Sequence, residues 1–159
     1  MGMQSSRGFT LIELMVTIAV MGVIAAMAAP SMSRLIAKQQ LNKSARELAA
    51  TFSQARSQAA LLRTSVTVSL NSTSANTTNT FNWAPGANNT LIVTAIDSST
   101  SPPTTSALTL SSVVFNASGT LNNISKDASF VICNSRSGTS KTIILSKFGT
   151  QFARADGTC

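Results

Sequence analysis

The chain has 159 residues, with 12 Lys+Arg against 5 Asp+Glu, no histidine or tyrosine, and two cysteines, Cys133 and Cys159. That length holds one modest domain beside a membrane segment. Without histidine there is no Ser-His or Cys-His pair, and no P-loop, G-x-G-x-x-G or metal-ligand cluster is present. Catalytic residues, cofactors and bound metals are therefore not expected. The basic balance permits attraction to nucleic acid or anionic lipid without requiring either.

Met1 to Gly8 reads as a short polar leader whose charged residue is Arg7. From Phe9 to Ala29 the run is apolar, and Glu13 is its single charged side chain. At about 1.5 Å per helical residue this stretch reaches roughly 31 Å, enough to cross a bilayer core. Gly22 and the alanines thin one side of it, as close helix packing in lipid prefers. Glu13 is out of place there, because an isolated carboxylate in a bilayer core costs roughly 2.5–3.5 kcal/mol. Three readings compete. The run could be a signal peptide cut after Ala26-Met27-Ala28, a plain anchor, or a segment freed by cleavage after Gly8. Only the last uses the acid: a new amine at Phe9 can neutralise the Glu13 of a neighbouring chain.

Pro30 lies inside the expected helix, where it deletes a hydrogen bond and bends or loosens the preceding turn. Beyond it, Leu41, Ala45, Leu48, Phe52, Ala55, Ala59 and Leu62 recur at steps of four and three, one apolar stripe along a helix. Arg34, Lys38, Lys43, Arg46, Arg56 and Arg63 lie mostly off the stripe. The stripe is either the face on which a head domain packs or a coiled-coil seam, and its small residues favour the former. Phe9 to about Leu62 then reads as one long helix.

The second half reads as short strands separated by polar turns. Thr64–Leu70 alternates and is the first strand. Asn71–Thr80 is too polar to bury anything and is a loop. Phe81 and Trp83 precede a Pro85-Gly86 turn. Strands follow at Leu91–Ile96, Ala107–Leu110, Val113–Asn116, Ser129–Cys133 and Thr142–Ser146, with a short segment Gln151–Arg154 before Cys159. Asp97–Ser106, containing Pro102-Pro103, is expected to be an exposed loop. Asp97, Asp127 and Asp156 show no motif spacing and read as turn residues. One long helix followed by many strands gives an α+β class, with antiparallel sheets wrapped on the helix.

Gly8-Phe9-Thr10-Leu11-Ile12-Glu13 and the apolar run after it resemble the N-terminal signal of type IV pilins and of the pseudopilins of type II secretion. Val113-Val114-Phe115-Asn116-Ala117-Ser118-Gly119 is similar to the F-x-x-x-G turn of the GspH/FimT group of minor pilins, and the chain looks nearest to its FimU branch. The resemblance implies a leader at 1–8 removed by prepilin peptidase, with cleavage between Gly8 and Phe9 and N-methylation of Phe9. It further implies a transmembrane or filament-core helix at 9–29, an amphipathic helix at 30–63 and a β-rich head at 64–159. Glu13 and Pro30 become assembly residues. The implied partners are other minor pilins, the major pilin and an inner-membrane assembly platform. The implied setting is a single-pass membrane protein with a periplasmic head that enters the pilus as part of a priming or tip complex.

A periplasmic head would make Cys133 and Cys159 a disulfide pair; two free thiols are the rival reading. A second function is suggested by FimT-type members that bind DNA through a C-terminal G-R-x-R motif. The matching place here is Gly149-Thr150-Gln151-Phe152, where neither arginine is present. Arg136, Lys141, Lys147 and Arg154 would supply charge at that end. Phe148 and Phe152 would offer stacking, or else are core residues of the last strands, which is the simpler expectation. A type II secretion pseudopilin is the other alternative.

Overall fold

The structure, a computed structural model, describes residues 8–97 and 103–159. Residues 1–7 of the expected leader and residues 98–102 of the expected Asp97–Ser106 loop lie outside the described residues. The chain divides into two units between Ile36 and Ala37. One helix, α1, is continuous over Leu11–Leu62, through position 30.

In the first unit every described side chain from Gly8 to Ile36 is exposed. The start of α1 is capped locally. Thr10 Oγ1 accepts the Glu13 N–H at 3.3 Å, and the Thr10 carbonyl accepts the Leu14 N–H at 3.2 Å. The first bond satisfies one of the donors that a helix start leaves open, and the second is the first regular i→i−4 bond of the helix.

In the second unit the rest of α1 lies against two sheets. Ala37, Leu41, Ser44, Leu48, Phe52, Ala55 and Ala59 are buried on one face, spaced as a helix stripe requires. The stripe thus faces a core. It starts one turn earlier than expected and includes Ser44, whereas Leu62 is 41% exposed in the final turn.

The first sheet has the order β2-β1-β5, formed by β1 (Val66–Leu70), β2 (Thr80–Trp83) and β5 (Ser112–Phe115). The second runs β4-β3-β6-β7-β8. Its strands are β3 (Asn89–Asp97), β4 (Thr104–Ala107), β6 (Asp127–Asn134), β7 (Thr139–Leu145) and β8 (Gln151–Ala153). A last strand, β9 (Gly157–Thr158), pairs with β7. The fold is α+β, with a mainly antiparallel sheet arrangement.

Some expectations need correction. β1 and β2 are parallel, in the register Thr67↔Thr80 to Leu70↔Trp83. A parallel neighbour needs a return connection rather than a tight hairpin, and residues 71–79 supply it. That loop is polar but ordered by Asn82: its N–H donates to Asn76 Oδ1, its Nδ2 donates to the Ala75 carbonyl, and its Oδ1 accepts from Ser72 Oγ. The proline-containing stretch expected to be a loop contributes β4, exposed throughout and paired with the end of β3. Leu108–Leu110, expected in a strand, follows β4 outside any strand.

Phe52 joins the layers. Its ring meets Phe130 of β6 edge-on at 5.0 Å between centroids and lies 6.3 Å from Phe115 of β5, one aromatic from each sheet. Around them Val66, Val68, Val113, Ile132 and Leu145 are fully buried. Such rings contribute through area and edge-to-face geometry alike.

A second, polar link ties the sheet to the helix. Asn134 is fully buried, and its Nδ2 donates to Asn89 Oδ1 at 2.6 Å. Asn89 Nδ2 in turn donates to Ser44 Oγ at 2.9 Å, and Ser44 Oγ also accepts the Gly86 N–H at 3.2 Å. Asn134 Oδ1 accepts the N–H groups of Arg136 and Ser137, which shapes the β6–β7 turn. Buried polar groups are tolerable only when bonded in this way.

Candidate functional site

Two regions hold the residues that the sequence singles out. The first is the N-terminal segment. Phe9 is 82% exposed, Glu13 is exposed, and Glu13 has no ion pair among the described residues. A Cβ added at Gly8 would meet nothing within 4 Å, so this chain's own packing does not demand glycine there. Gly22 is equally open. Leu11, Ile12, Leu14, Met15 and Ile18 are exposed, and α1 contains a stretch long and apolar enough to cross a membrane. Thr10 was not singled out by sequence, although Thr10-x-x-Glu13 has the spacing of a helix capping box. Glu13 therefore also sits where a carboxylate suits the positive end of the helix dipole.

The second region is the far end of the head sequence. Cys133 at the end of β6 and Cys159 form a disulfide, with Cα atoms 5.6 Å apart. The Thr158 carbonyl accepts from Ser140 Oγ, and the Cys159 N–H donates to the Gly138 carbonyl, so the tail lies along the start of β7.

Of the four basic residues expected at one end, Lys141 and Arg154 line one cleft, whereas Arg136 and Lys147 lie beyond opposite ends of β7. Arg136 sits in the turn before β7, and Lys147 follows the other end of that strand. Seven strand residues separate them, roughly 20 Å or more at about 3.4 Å each. Lys141 pairs with Asp156. Arg154 donates its backbone N–H to the Thr142 carbonyl at 3.0 Å. Asp97 pairs with Lys126 at 2.6 Å, and Asp127 accepts the Lys147 N–H at 3.0 Å, so these aspartates fasten strand ends.

Phe148 and Phe152 are not core residues: they are 61% and 55% exposed. Register explains Phe152. It lies opposite Ile144, and the buried neighbours Ile143 and Leu145 take the other face of β7, so Phe152 points outward. Lys147 Nζ sits 5.1 Å from the Phe148 ring centre.

Gly119 and Gly149, by contrast with Gly8, are demanded by the fold. Both have positive φ, 75° and 77°, and each closes a turn through its N–H, to the Asn116 and Ser146 carbonyls. Arg56 of α1 lies against both turns. The Leu121 N–H donates to the Lys147 carbonyl, which joins the two segments.

Comparison with known proteins bears on both regions. Residues 3–29 match the prokaryotic N-terminal methylation motif, and residues 44–149 match the family described as Type II transport protein GspH. The chain is 48% identical over 48 residues to the Type IV major alpha-pilin of Moraxella bovis, covering 30% of each protein. Fimbrial protein Q of the same organism is 48% identical over 48 residues, covering 30% of this chain and 31% of that protein. Fimbrial protein EcpB of Eikenella corrodens is 47% identical over 49 residues, 31% of each. The chain thus spans about a third of the length of these curated relatives. No solved structure matches significantly. The GspH match covers about two thirds of the chain, from Ser44 of the helix stripe through β7 to Gly149, and the methylation motif lies before it. The chain belongs to the GspH family and is a minor pilin or pseudopilin of the GspH/FimT type.

Proposed function

We propose that the chain acts by assembly and not by catalysis, as a minor pilin that enters a type IV pilus through its N-terminal helix. The observation that carries this reading is Glu13: one acid, without an ion pair among the described residues, in an exposed apolar helix that follows Gly8-Phe9. Residues 1–8 are removed by prepilin peptidase, and Phe9 becomes the methylated N-terminus. The helix of 9–29 waits in the inner membrane, with 30–63 and the head of 64–159 on the periplasmic side. On assembly the Phe9 amine of one subunit meets the Glu13 of another, so the charge is compensated only in the filament. The open space around Gly8 supports a requirement set by the peptidase instead of by folding. Within the filament the chain joins other minor pilins in the complex that primes growth, at or near the tip. The test is the intact mass of the mature protein: Phe9 with one added methyl is expected, and a start at Ala29 overturns the reading.

The GspH description also supports a place in a type II secretion pseudopilus. Co-purification of the full chain with pilus proteins or with secretion components separates these settings.

Exposed Phe148 beside Lys147, together with exposed Phe152, supports a second reading, nucleic-acid binding by stacking and charge. Mobility shifts of single-stranded DNA at low and high salt test it. Absence of a shift at low salt removes it.

A further inference from the structure

A cleft of about 240 Å³ lies between α1 and strands β7 and β8. Its lining includes Ala45, Arg46 and Ala49 of the helix with Lys141, Ile143 and Arg154 from the sheet side. Three of the nine lining residues are cations. Lys141 is already neutralised by Asp156. Arg46 and Arg154 make no ion pair among the described residues. The backbone of Arg154 is held by its bond to Thr142, so the root of that guanidinium is positioned. Ala45, Ala49 and Ile143 give the cleft an apolar floor beside the two exposed arginines, and a carboxylate held by both would make charge-assisted hydrogen bonds.

What fits there follows from the charge of the whole unit. Residues 37–159 contain every lysine and arginine of the chain except Arg7 and Arg34, against only Glu47, Asp97, Asp127 and Asp156. Each of those carboxylates has a partner: Lys43 for Glu47, Lys126 for Asp97, the Lys147 N–H for Asp127 and Lys141 for Asp156. A second copy of the 37–159 unit would bring a like net charge and only carboxylates that already have partners; Glu13, which has no ion pair among the described residues, lies outside that unit. A nucleic-acid backbone needs a line of cations along a groove, not two arginines at one short cleft.

We propose that this cleft is a docking site for an acidic segment of a neighbouring subunit of different sequence, with Arg46 and Arg154 holding one of its carboxylates. The site rests on the assembly reading above and specifies the head-to-head contact which that reading leaves open. It also sets partner choice, because a self-contact at the same place is repelled.

The test uses the full chain in its own membranes and filaments, with a photoreactive benzophenone side chain at Ala153, which lines the cleft. Irradiation is expected to give an adduct with a different chain, and mass spectrometry is expected to place it within a few residues of an Asp or Glu. Arg46→Glu with Arg154→Glu should lower the adduct about ten-fold or more, while the double Lys variant keeps most of it. Changing the identified partner carboxylate to Lys should restore the adduct to the Glu variants. Arg46→Gln with Arg154→Gln gives a second, milder loss, and the Cys133–Cys159 disulfide on a non-reducing gel reports folding of every variant. An adduct with a copy of this chain, with nucleic acid or with lipid overturns the proposal. So does an adduct indifferent to charge reversal. A second probe at Val16 reports assembly itself. If Val16 cross-links to neighbours and Ala153 does not, the cleft proposal fails alone; if both are silent, the assembly reading fails with it.

Discussion

Gly149 packs directly on Gly119: a Cβ at position 149 would lie 2.1 Å from the Gly119 carbonyl oxygen. This backbone contact joins the turn after β5 to the turn after β7, and so one sheet to the other. A Cβ at Gly119 meets only the Arg56 side chain, at 3.0–3.7 Å, which can move. Alanine at either position strains a positive φ, by roughly 1–3 kcal/mol. Gly149→Ala must also displace backbone, and is expected to lower the melting temperature clearly more than Gly119→Ala. Thermal unfolding of the two variants checks this; equal effects contradict the geometry.

Asn134→Ala is expected to destabilise the head by about 2–3 kcal/mol, because it strands the Asn89 amide oxygen and two turn N–H groups. Denaturant unfolding measures the loss. Faster hydrogen exchange at Arg136 and Ser137 would locate it in the β6–β7 turn.

The Cys133–Cys159 bond closes a loop of sequence separation 26. Chain entropy then predicts that Cys159→Ser removes about 3–4 kcal/mol of stability. Reducing agent should lower the wild-type melting temperature and leave the variant unchanged. β9 should fray first, as it has two residues and a single strand neighbour.

Glu13→Ala is expected to insert into the membrane at least as well as wild type, since the change removes a penalty of roughly 2.5–3.5 kcal/mol. Its incorporation into filaments should nevertheless fall. Membrane fractionation and immunoblotting of sheared filaments read the two separately. Normal incorporation would leave Glu13 with only its place in the first helical turn.

Much of the strand pattern was legible because alternation is local. Val66, Val68 and Leu70 predict the buried face of β1, and the late strands end within a few residues of their expected bounds. β4 was hidden by its composition, Thr-Thr-Ser-Ala beside prolines, which has strand pairing but no buried face. The parallel β1–β2 pair was hidden because direction depends on where residues 71–79 carry the chain. Arg46 drew notice only as a charge off the helix stripe. Its place beside Arg154 depends on how β7 and β8 meet the helix.

The resemblance of the N-terminus to a methylation motif, and the assembly proposed from it, rest on features within one short stretch: Gly8, Phe9, Glu13 and the apolar run, whose meaning depends on spacing. The helix stripe is of the same kind, since 3.6 residues per turn put its members on one face wherever the chain goes. Tertiary structure decided the rest. Nothing local separates Gly8, which has open space around it, from Gly149, which has a carbonyl oxygen in the way. Nor does composition tell that Phe52 is enclosed while Phe148 and Phe152 face outward. Those distinctions depend on strand register and on contacts between residues far apart in the chain, and they exist only once both sheets have closed on the helix.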